Sequence, residues 1–90
     1  MVLTFRQLKY IDRHFYPGAA ESEVWQRVKV KTWKRYRGSR IGDLMYRRYV
    51  LGEKAKQAGM NEATYYNYRN EFILFAALEL ARAGINVLER

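Results

Sequence analysis

Apolar residues recur at helical spacing from the start of the chain. The first of them are three or four positions apart, as one face of a helix requires: Phe5, Leu8, Ile11 and Phe15. Thr4 precedes them and can cap the helix, while Pro17-Gly18 interrupts the pattern. These positions predict a first helix with one apolar face that ends before Pro17.

The segment from Ala19 to Arg37 carries two competing patterns. Residues 27–33 alternate between basic and less polar side chains, which is typical of a strand. A broad helical face is also present, and no partner strand is evident elsewhere in the chain. That face consists of Val24, Trp25, Val28, Thr32 and Tyr36. We predict a helix here, with a strand over residues 27–33 as the alternative.

A third helix is predicted after the break at Gly38. Ser39 can cap it, and residues at spacings of three and four follow: Ile41, Leu44, Met45 and Arg48. The next residues are also apolar or aromatic and carry the helix to Gly52. We therefore expect Tyr49, Val50 and Leu51 to belong to this helix.

The window Leu51 to Asn70, LGEKAKQAGMNEATYYNYRN, predicts a helix-turn-helix. Ala55 is small enough for two steeply crossing helices to approach closely, and Gly59 suits the turn because a positive φ is cheap only for glycine. Gly52 leaves two alternatives for the first motif helix. It is either short, over residues 53–58, or a continuation of the third helix through a bend at Gly52.

The second motif helix begins after Asn61, which is a good N-cap. No helix breaker follows before Gly84, so we predict one helix of about six turns. Tyr65 and Tyr68 lie three residues apart and point inward. The outward face then holds Glu62, Ala63, Tyr66, Asn67 and Asn70.

The long helix becomes apolar on almost every side beyond Phe72, in the string FILFAALELA. A helix of this kind must be enclosed, either by its own domain or by a second subunit. We predict that it helps to form a homodimer through Ile73, Leu74, Ala77 and Leu78. The alternative is that the first two helices wrap this segment.

In DNA-binding forms of the motif, the second helix enters the major groove. Asn67 and Asn70 are the candidates for base reading, because a carboxamide pairs bidentately with adenine. Thr64 and Tyr66 carry hydroxyls suited to phosphate or sugar. The other candidates are Asn61, Glu62 as a cytosine acceptor or helix-dipole partner, Arg69 as a phosphate contact or a partner of Glu62 or Glu53, and the phosphate-contacting Lys54 and Lys56.

Positive charge is concentrated in one quarter of the chain. The chain has 17 Lys+Arg against 9 Asp+Glu, a net charge of +8, and residues 27–48 alone hold nine basic residues and one acidic, Asp43. Such a field is expected for a polyanion partner, because phosphate neutralisation releases counterions. Lys34, Arg35 and Arg37 are the candidate phosphate contacts here. The interleaved Trp33 and Tyr36 belong either to the core or to a platform that stacks on single-stranded bases.

The composition argues against several classes of protein. Without cysteine there is no disulfide frame and no thiolate metal site, and His14 as the only histidine gives neither a catalytic triad nor a zinc site. No apolar run approaches the roughly 18 residues of a membrane helix, and a signal-peptide core is missing. We expect a single domain over residues 1–90 in the cytoplasm of a bacterial host, with no enzymatic activity, no cofactor, no metal and no membrane partner.

Residues from about Ile41 to Leu80 resemble the sigma-factor region-four type of helix-turn-helix found in small phage late-gene transcriptional regulators of the ArpU and RinA type. The likeness lies in the lead-in MYRRYVLG, the spacing from Ala55 to Gly59, and the recognition-helix string NEATYYNYRNEF. It covers under half of the chain. The resemblance implies binding to promoter DNA and regulation of phage late genes.

The sequence thus predicts an all-α domain of four or five helices with a helix-turn-helix and a long C-terminal helix. Its predicted function is sequence-specific binding of double-stranded DNA and transcriptional regulation of phage or prophage genes, as a homodimer. One alternative is a DNA-packaging module similar to a terminase small subunit. Another is a protein-interaction module that docks on RNA polymerase.

Overall fold

The computed structural model describes residues 3–18 and 22–87. Over these residues the chain forms four α-helices and one short 3₁₀ turn, with no strand. The helices are α1 (Phe5–Phe15), α2 (Glu23–Arg35), α3 (Arg40–Tyr49) and α4 (Glu62–Arg82), and the 3₁₀ turn is Ala55–Ala58. The predicted all-α fold with a long C-terminal helix is confirmed.

Helix α1 begins where the sequence predicts. The Thr4 hydroxyl accepts from the backbone N–H of Gln7, and the Gln7 side chain accepts from the backbone N–H of Thr4 at 2.8 Å. This capping box satisfies two N–H groups that the first turn leaves unpaired. Ile11 and Phe15 are fully buried, but Phe5 is 69% exposed. The prediction that Phe5 joins the apolar face is therefore wrong, because no element covers the first residue of the helix.

Residues 27–33 belong to the predicted helix α2 and not to the strand that their alternating pattern allowed. The Ser22 hydroxyl caps it by accepting from the N–H of Trp25. Trp25, Val28 and Thr32 are buried, and the Thr32 hydroxyl donates to the carbonyl of Val28 at 2.8 Å. Val30, which a strand would place on the same face as Val28 and Thr32, is 47% exposed and does not belong to the core. Residues 19–21 of the predicted segment lie outside the described residues.

Helix α2 runs antiparallel to α4. Lys31 Nζ lies 2.8 Å from Glu79 Oε2, and the Arg35 guanidinium lies 5.8 Å from the Phe75 ring. Four residues forward along α2 therefore correspond to four residues back along α4. Glu79 is only 5% exposed, and the hydrogen bond from Lys31 lowers the pKa of its carboxyl. The ion pair between Lys31 and the buried Glu79 carboxylate thus shows which residues of α2 and α4 lie side by side.

Helix α3 follows α2 through a tight corner. The Ser39 hydroxyl accepts from the N–H of Gly42, and a Cβ at Gly42 would lie 2.1 Å from the carbonyl oxygen of Tyr36. Only glycine permits that approach. The helix ends at Tyr49, with Val50 and Leu51 exposed and Gly52 at φ +74°. The prediction that Val50 and Leu51 continue the helix is wrong, because the left-handed Gly52 turns the chain away immediately after them.

Helix α4 supplies more residues to the core than any other described element. Phe72, Ile73, Ala76, Ala77 and Leu80 have exposures of 0–1% within the single chain, where α1, α2 and α3 all pack against α4. The prediction that Ile73 and Ala77 contribute to a dimer interface is wrong, because the chain's own helices cover them. Leu78 remains 43% exposed and Leu74 is half-buried. Among the described helices, none combines the length and apolar character that crossing a bilayer requires.

A buried ion pair joins three of the helices. Arg48 of α3 donates from Nε and Nη2 to the two carboxylate oxygens of Asp12 of α1, at 2.9 and 2.8 Å, and from Nη1 to the Tyr65 hydroxyl of α4 at 3.1 Å. The Tyr49 hydroxyl also donates to Asp12. Burial opposes the charge of Arg48, but the hydrogen bonds and the negative charge of Asp12, together with Tyr49 and Tyr65, outweigh that cost and raise the pKa of the guanidinium. This network fixes the position of the N-terminal half of α4.

Candidate nucleic-acid interface

The two parts of the predicted motif differ in regularity. The first motif helix is a single 3₁₀ turn, Ala55–Ala58, rather than an α-helix over residues 53–58. Ala55 is 7% exposed and packs against the core, as its small size predicted. Gly59 has φ +67°, which confirms the left-handed turn before α4. The motif is therefore a 3₁₀ turn followed by the long helix α4.

A side-chain clasp holds the 3₁₀ turn against α3. Arg47 donates to the Glu53 carboxylate from Nε and Nη2, and Nη2 also donates to the carbonyl of Gln57 at 3.1 Å. The hydrogen bond from Arg47 lowers the pKa of Glu53, so the carboxylate stays charged at neutral pH. Lys54 and Lys56, the predicted phosphate contacts, are both exposed on this turn. The clasp thus presents two cations beside the start of α4.

The N-terminal half of α4 presents a polar face to solvent. Asn61 caps the helix, as predicted, because its carboxamide oxygen accepts from the N–H groups of Ala63 and Thr64 at 2.9 and 3.3 Å. That oxygen is therefore already engaged. Glu62 lies in the first turn, where a carboxylate complements the helix dipole. The exposed residues of this face are Glu62, Ala63, Thr64 and Asn67.

Three of the predicted contact residues, Arg69, Tyr66 and Asn70, pack against the protein and do not face solvent fully. Arg69 is 8% exposed, its guanidinium lies 4.5 Å from the Tyr66 ring, and it donates to the carboxamide oxygen of Asn70 at 3.1 Å. Its predicted pairing with Glu62 or Glu53 is wrong. Tyr66 and Asn70 are consequently half-buried, whereas Asn67 is exposed. Of the two predicted base-reading carboxamides, Asn67 is the one that faces solvent.

The basic segment over residues 27–48 divides into two groups. One group lies against carboxylates: Arg27 on Glu23, Lys31 on Glu79, Arg47 on Glu53 and Arg48 on Asp12. The other group includes the predicted phosphate contacts Lys34, Arg35 and Arg37, all of which are exposed. Arg35 packs on Phe75 and Arg37 on Trp33, each at 5.8 Å. The charge available to a ligand is thus smaller than the sequence count and lies at the C-terminal end of α2.

Arg35 is close to the outward face of α4. Phe75, beneath its guanidinium, follows Asn67 by eight residues, which is about 12 Å along a helix axis. Between them Glu71 interacts with the Tyr36 hydroxyl, and burial together with that carboxylate raises the pKa of Tyr36. A duplex lying along α4 would therefore meet the α2 cations on one flank.

The sequence did not identify Lys9 as a candidate. Phe5, Leu8 and Lys9 of α1 line a cleft with Tyr66, Arg69 and Asn70 of α4, and Lys9 is exposed with its Nζ 5.1 Å from the Phe5 ring. This places a cation on the flank of α4 opposite α2. Sequence reasoning missed Lys9 because the contact joins segments about 60 residues apart along the chain. The one available signal was the position of Lys9 on the exposed face of α1.

Over the part of the chain that the structure describes, no three metal-ligating side chains come together. His14 stacks on Trp25 at 4.6 Å and its Nδ1 lies 2.8 Å from the carbonyl of Tyr10.

Comparison with known proteins gives no match to any family, to any curated protein or to any solved structure.

Proposed function

We propose that this protein binds duplex DNA by placing the N-terminal half of α4 in the major groove. One observation carries the proposal: Asn67 and Thr64 are exposed on a capped helix end that cations border on both flanks. Lys54 and Lys56 precede the helix, Lys9 lies on the α1 side and Arg35 on the α2 side. Polar side chains on such a helix read bases, while flanking cations contact phosphates.

Duplex rather than single-stranded nucleic acid is the favoured ligand. Stacking on exposed bases requires aromatic faces that are free on the surface. Tyr36 instead packs against Phe72 and Phe75, and Trp33 packs against Tyr46. Both aromatics are half-buried. These contacts support the core role of the two residues.

We further propose that the DNA binding serves transcriptional regulation in a phage or prophage. The resemblance of residues 41–80 to phage late-gene regulators supports this, as does the retained turn from Ala55 to Gly59. Dimerisation on DNA is part of the proposal, with Leu74 and Leu78 as the residues of the predicted interface that remain accessible. A palindromic site is the expected consequence of such a dimer.

Selection from a pool of random duplexes at near-physiological salt tests the proposed function. We expect an enriched motif, and a dimer would give two half-sites about one helical turn apart. Binding without enrichment would contradict sequence-specific regulation and favour packaging or architecture. Absence of binding even at low salt would contradict nucleic-acid binding altogether.

Asn67→Ala is expected to weaken binding to the selected site by about 1–3 kcal/mol, because a bidentate contact to a base is lost. Binding to random duplex should not change, since the phosphate contacts remain. Fluorescence anisotropy titrations on both duplexes measure the two effects. Asn70→Ala is the matched control: its carboxamide oxygen already accepts from Arg69, so we expect a smaller loss. Equal losses of Asn67→Ala on both duplexes would show that Asn67 does not read a base.

A further inference from the structure

An apolar groove separates α2 from α3 on the surface of the chain. Its walls and floor enclose a cavity of about 470 Å³, and the lining side chains are almost all apolar or aromatic. Met45, Tyr49 and Phe72 form its buried floor, with exposures of 1–2%. The walls are Pro17, Gln26, Lys29, Val30, Trp33, Tyr46 and Val50. The groove therefore offers apolar surface that the fold itself does not cover.

The groove continues into a second cavity at one end. Trp33 and Tyr46 line both cavities, and the second also includes Leu51. Among the described residues, six large apolar side chains are substantially exposed, and four of them lie here: Val30, Tyr46, Val50 and Leu51, at 41–61%. An apolar patch concentrated in one elongated depression is typical of a protein-interaction surface rather than of scattered surface residues.

The shape of the groove fits a helix. From Gln26 to Trp33 the α2 wall extends over eight residues, which corresponds to about 10 Å or two helical turns. Two nearly continuous helical walls with an apolar floor accept the apolar face of an amphipathic helix, whose anchors recur at i, i+3 or i+4, and i+7. The exposed Val30 and Val50, on opposite walls, are positioned to contact such anchors.

The charge of the walls identifies the partner further. Helix α2 has five basic residues against Glu23, of which Arg27 and Lys31 lie against carboxylates, and the whole chain has a net charge of +8. Lys29 lines the groove, and Arg47 borders the second cavity together with Asp43. A positive surface favours a partner of opposite charge. The second copy proposed above contacts through Leu74 and Leu78, which lie outside this groove, and a phosphate backbone gains nothing from an apolar floor.

We propose that the groove between α2 and α3 binds an acidic amphipathic helix of a partner protein. The apolar face of that helix lies on the floor, and its Asp and Glu side chains point toward Lys29 on the α2 wall. The surface is separate from the outward face of α4, so the partner can bind while α4 is on DNA. The protein would then connect a DNA site to an acidic segment of another protein.

Selection from a phage-displayed library of random peptides of about 15 residues, with the full chain as bait, tests this inference. Enriched peptides are expected to be acidic and to have apolar residues at helical spacing. The double variant Val30→Ser/Val50→Ser should bind them at least tenfold more weakly, while keeping its thermal unfolding curve and its duplex binding. Phe5→Ser, which replaces another exposed apolar residue outside the groove, is the control and should bind them as the unmodified chain does.

Five outcomes would overturn the inference. Peptides that bind the double variant unchanged would place the interface elsewhere, and enriched peptides without acidic residues would contradict the partner chemistry. Failure to enrich any peptide would contradict a peptide-binding groove. Self-association that the double variant abolishes would assign the groove to a second copy. Duplex affinity that falls in the double variant would assign it to DNA.

Discussion

Arg48→Met is expected to lower the free energy of unfolding by about 3–5 kcal/mol, because it leaves one partner of a buried ion pair without the other. The two side chains are 8% and 13% exposed, and the Asp12 carboxylate would keep only the Tyr49 hydroxyl among the donors that the structure shows. A small domain is stable by about 5–15 kcal/mol, so this loss is a large share of the total. Urea unfolding followed by circular dichroism measures it.

Two further variants separate charge burial from loss of packing. Arg47→Met removes the neighbouring arginine of α3, whose side chain is 41% exposed and pairs with Glu53, and a clearly smaller loss is expected. Asp12→Asn combined with Arg48→Met removes both charges and should recover part of the lost stability. If Arg48→Met costs no more than Arg47→Met, the pair does not hold the three helices together.

Replacing Lys34, Arg35 and Arg37 by glutamine is expected to weaken duplex binding strongly and equally on all sequences. Each lost phosphate contact lowers the slope of log K against log salt by about 0.9, so the three together lower it by about 2.7. If the variant and the unmodified chain bind equally at 1 M salt, the variant therefore binds roughly 500-fold more weakly at 0.1 M salt. Titrations at several salt concentrations, on the selected site and on random duplex, measure both quantities.

The matched control removes the same charge elsewhere. Arg13, Arg27 and Arg82 are exposed, and two of them already lie against carboxylates, Arg27 on Glu23 and Arg82 on Glu79. Their replacement by glutamine should change the salt slope little, although the net charge falls equally. An unchanged slope in the first triple variant would place the C-terminal end of α2 away from the DNA. Equal slopes in both variants would mean that only the net charge matters.

Much of the fold could be predicted because its signals are local. Thr4, Ser39 and Asn61 each cap a helix by bonding to N–H groups two or three residues ahead, so a short window of sequence contains the whole interaction. Gly59 takes its left-handed conformation for a reason that needs no distant residue. The starts of three helices and the turn before α4 were therefore predicted correctly.

The end of α3 and the form of the first motif helix were not predicted. Apolar residues continue past Tyr49, and periodicity alone extends a helix for as long as they do. Val50 and Leu51 lie outside the helix, exposed on the surface, where Val50 lines the groove and Leu51 the second cavity. The 3₁₀ turn over Ala55–Ala58 is held by Arg47, a residue of the preceding helix.

The candidate site was predicted in part. Asn67 and Thr64 are exposed as expected, because the outward face of a helix follows from its period, and Lys54 and Lys56 are exposed at the 3₁₀ turn. Arg69 lies about 200° around the helix from Asn67 and four residues after the buried Tyr65, so the period places it inward. Its guanidinium accordingly packs on Tyr66 and bonds to Asn70, and only its charge had suggested a phosphate contact.

The sequence by itself determined where helices begin, where the left-handed turn lies and which face of α4 points outward, because each depends on residues within about one helical turn. Only the tertiary structure decided which charges are available to a ligand. Arg48 meets Asp12 across 36 residues, and Lys31 meets Glu79 across 48, so neither pairing follows from local spacing. It also decided that Ile73 and Ala77 are enclosed within one chain, because burial depends on which distant helix covers a face.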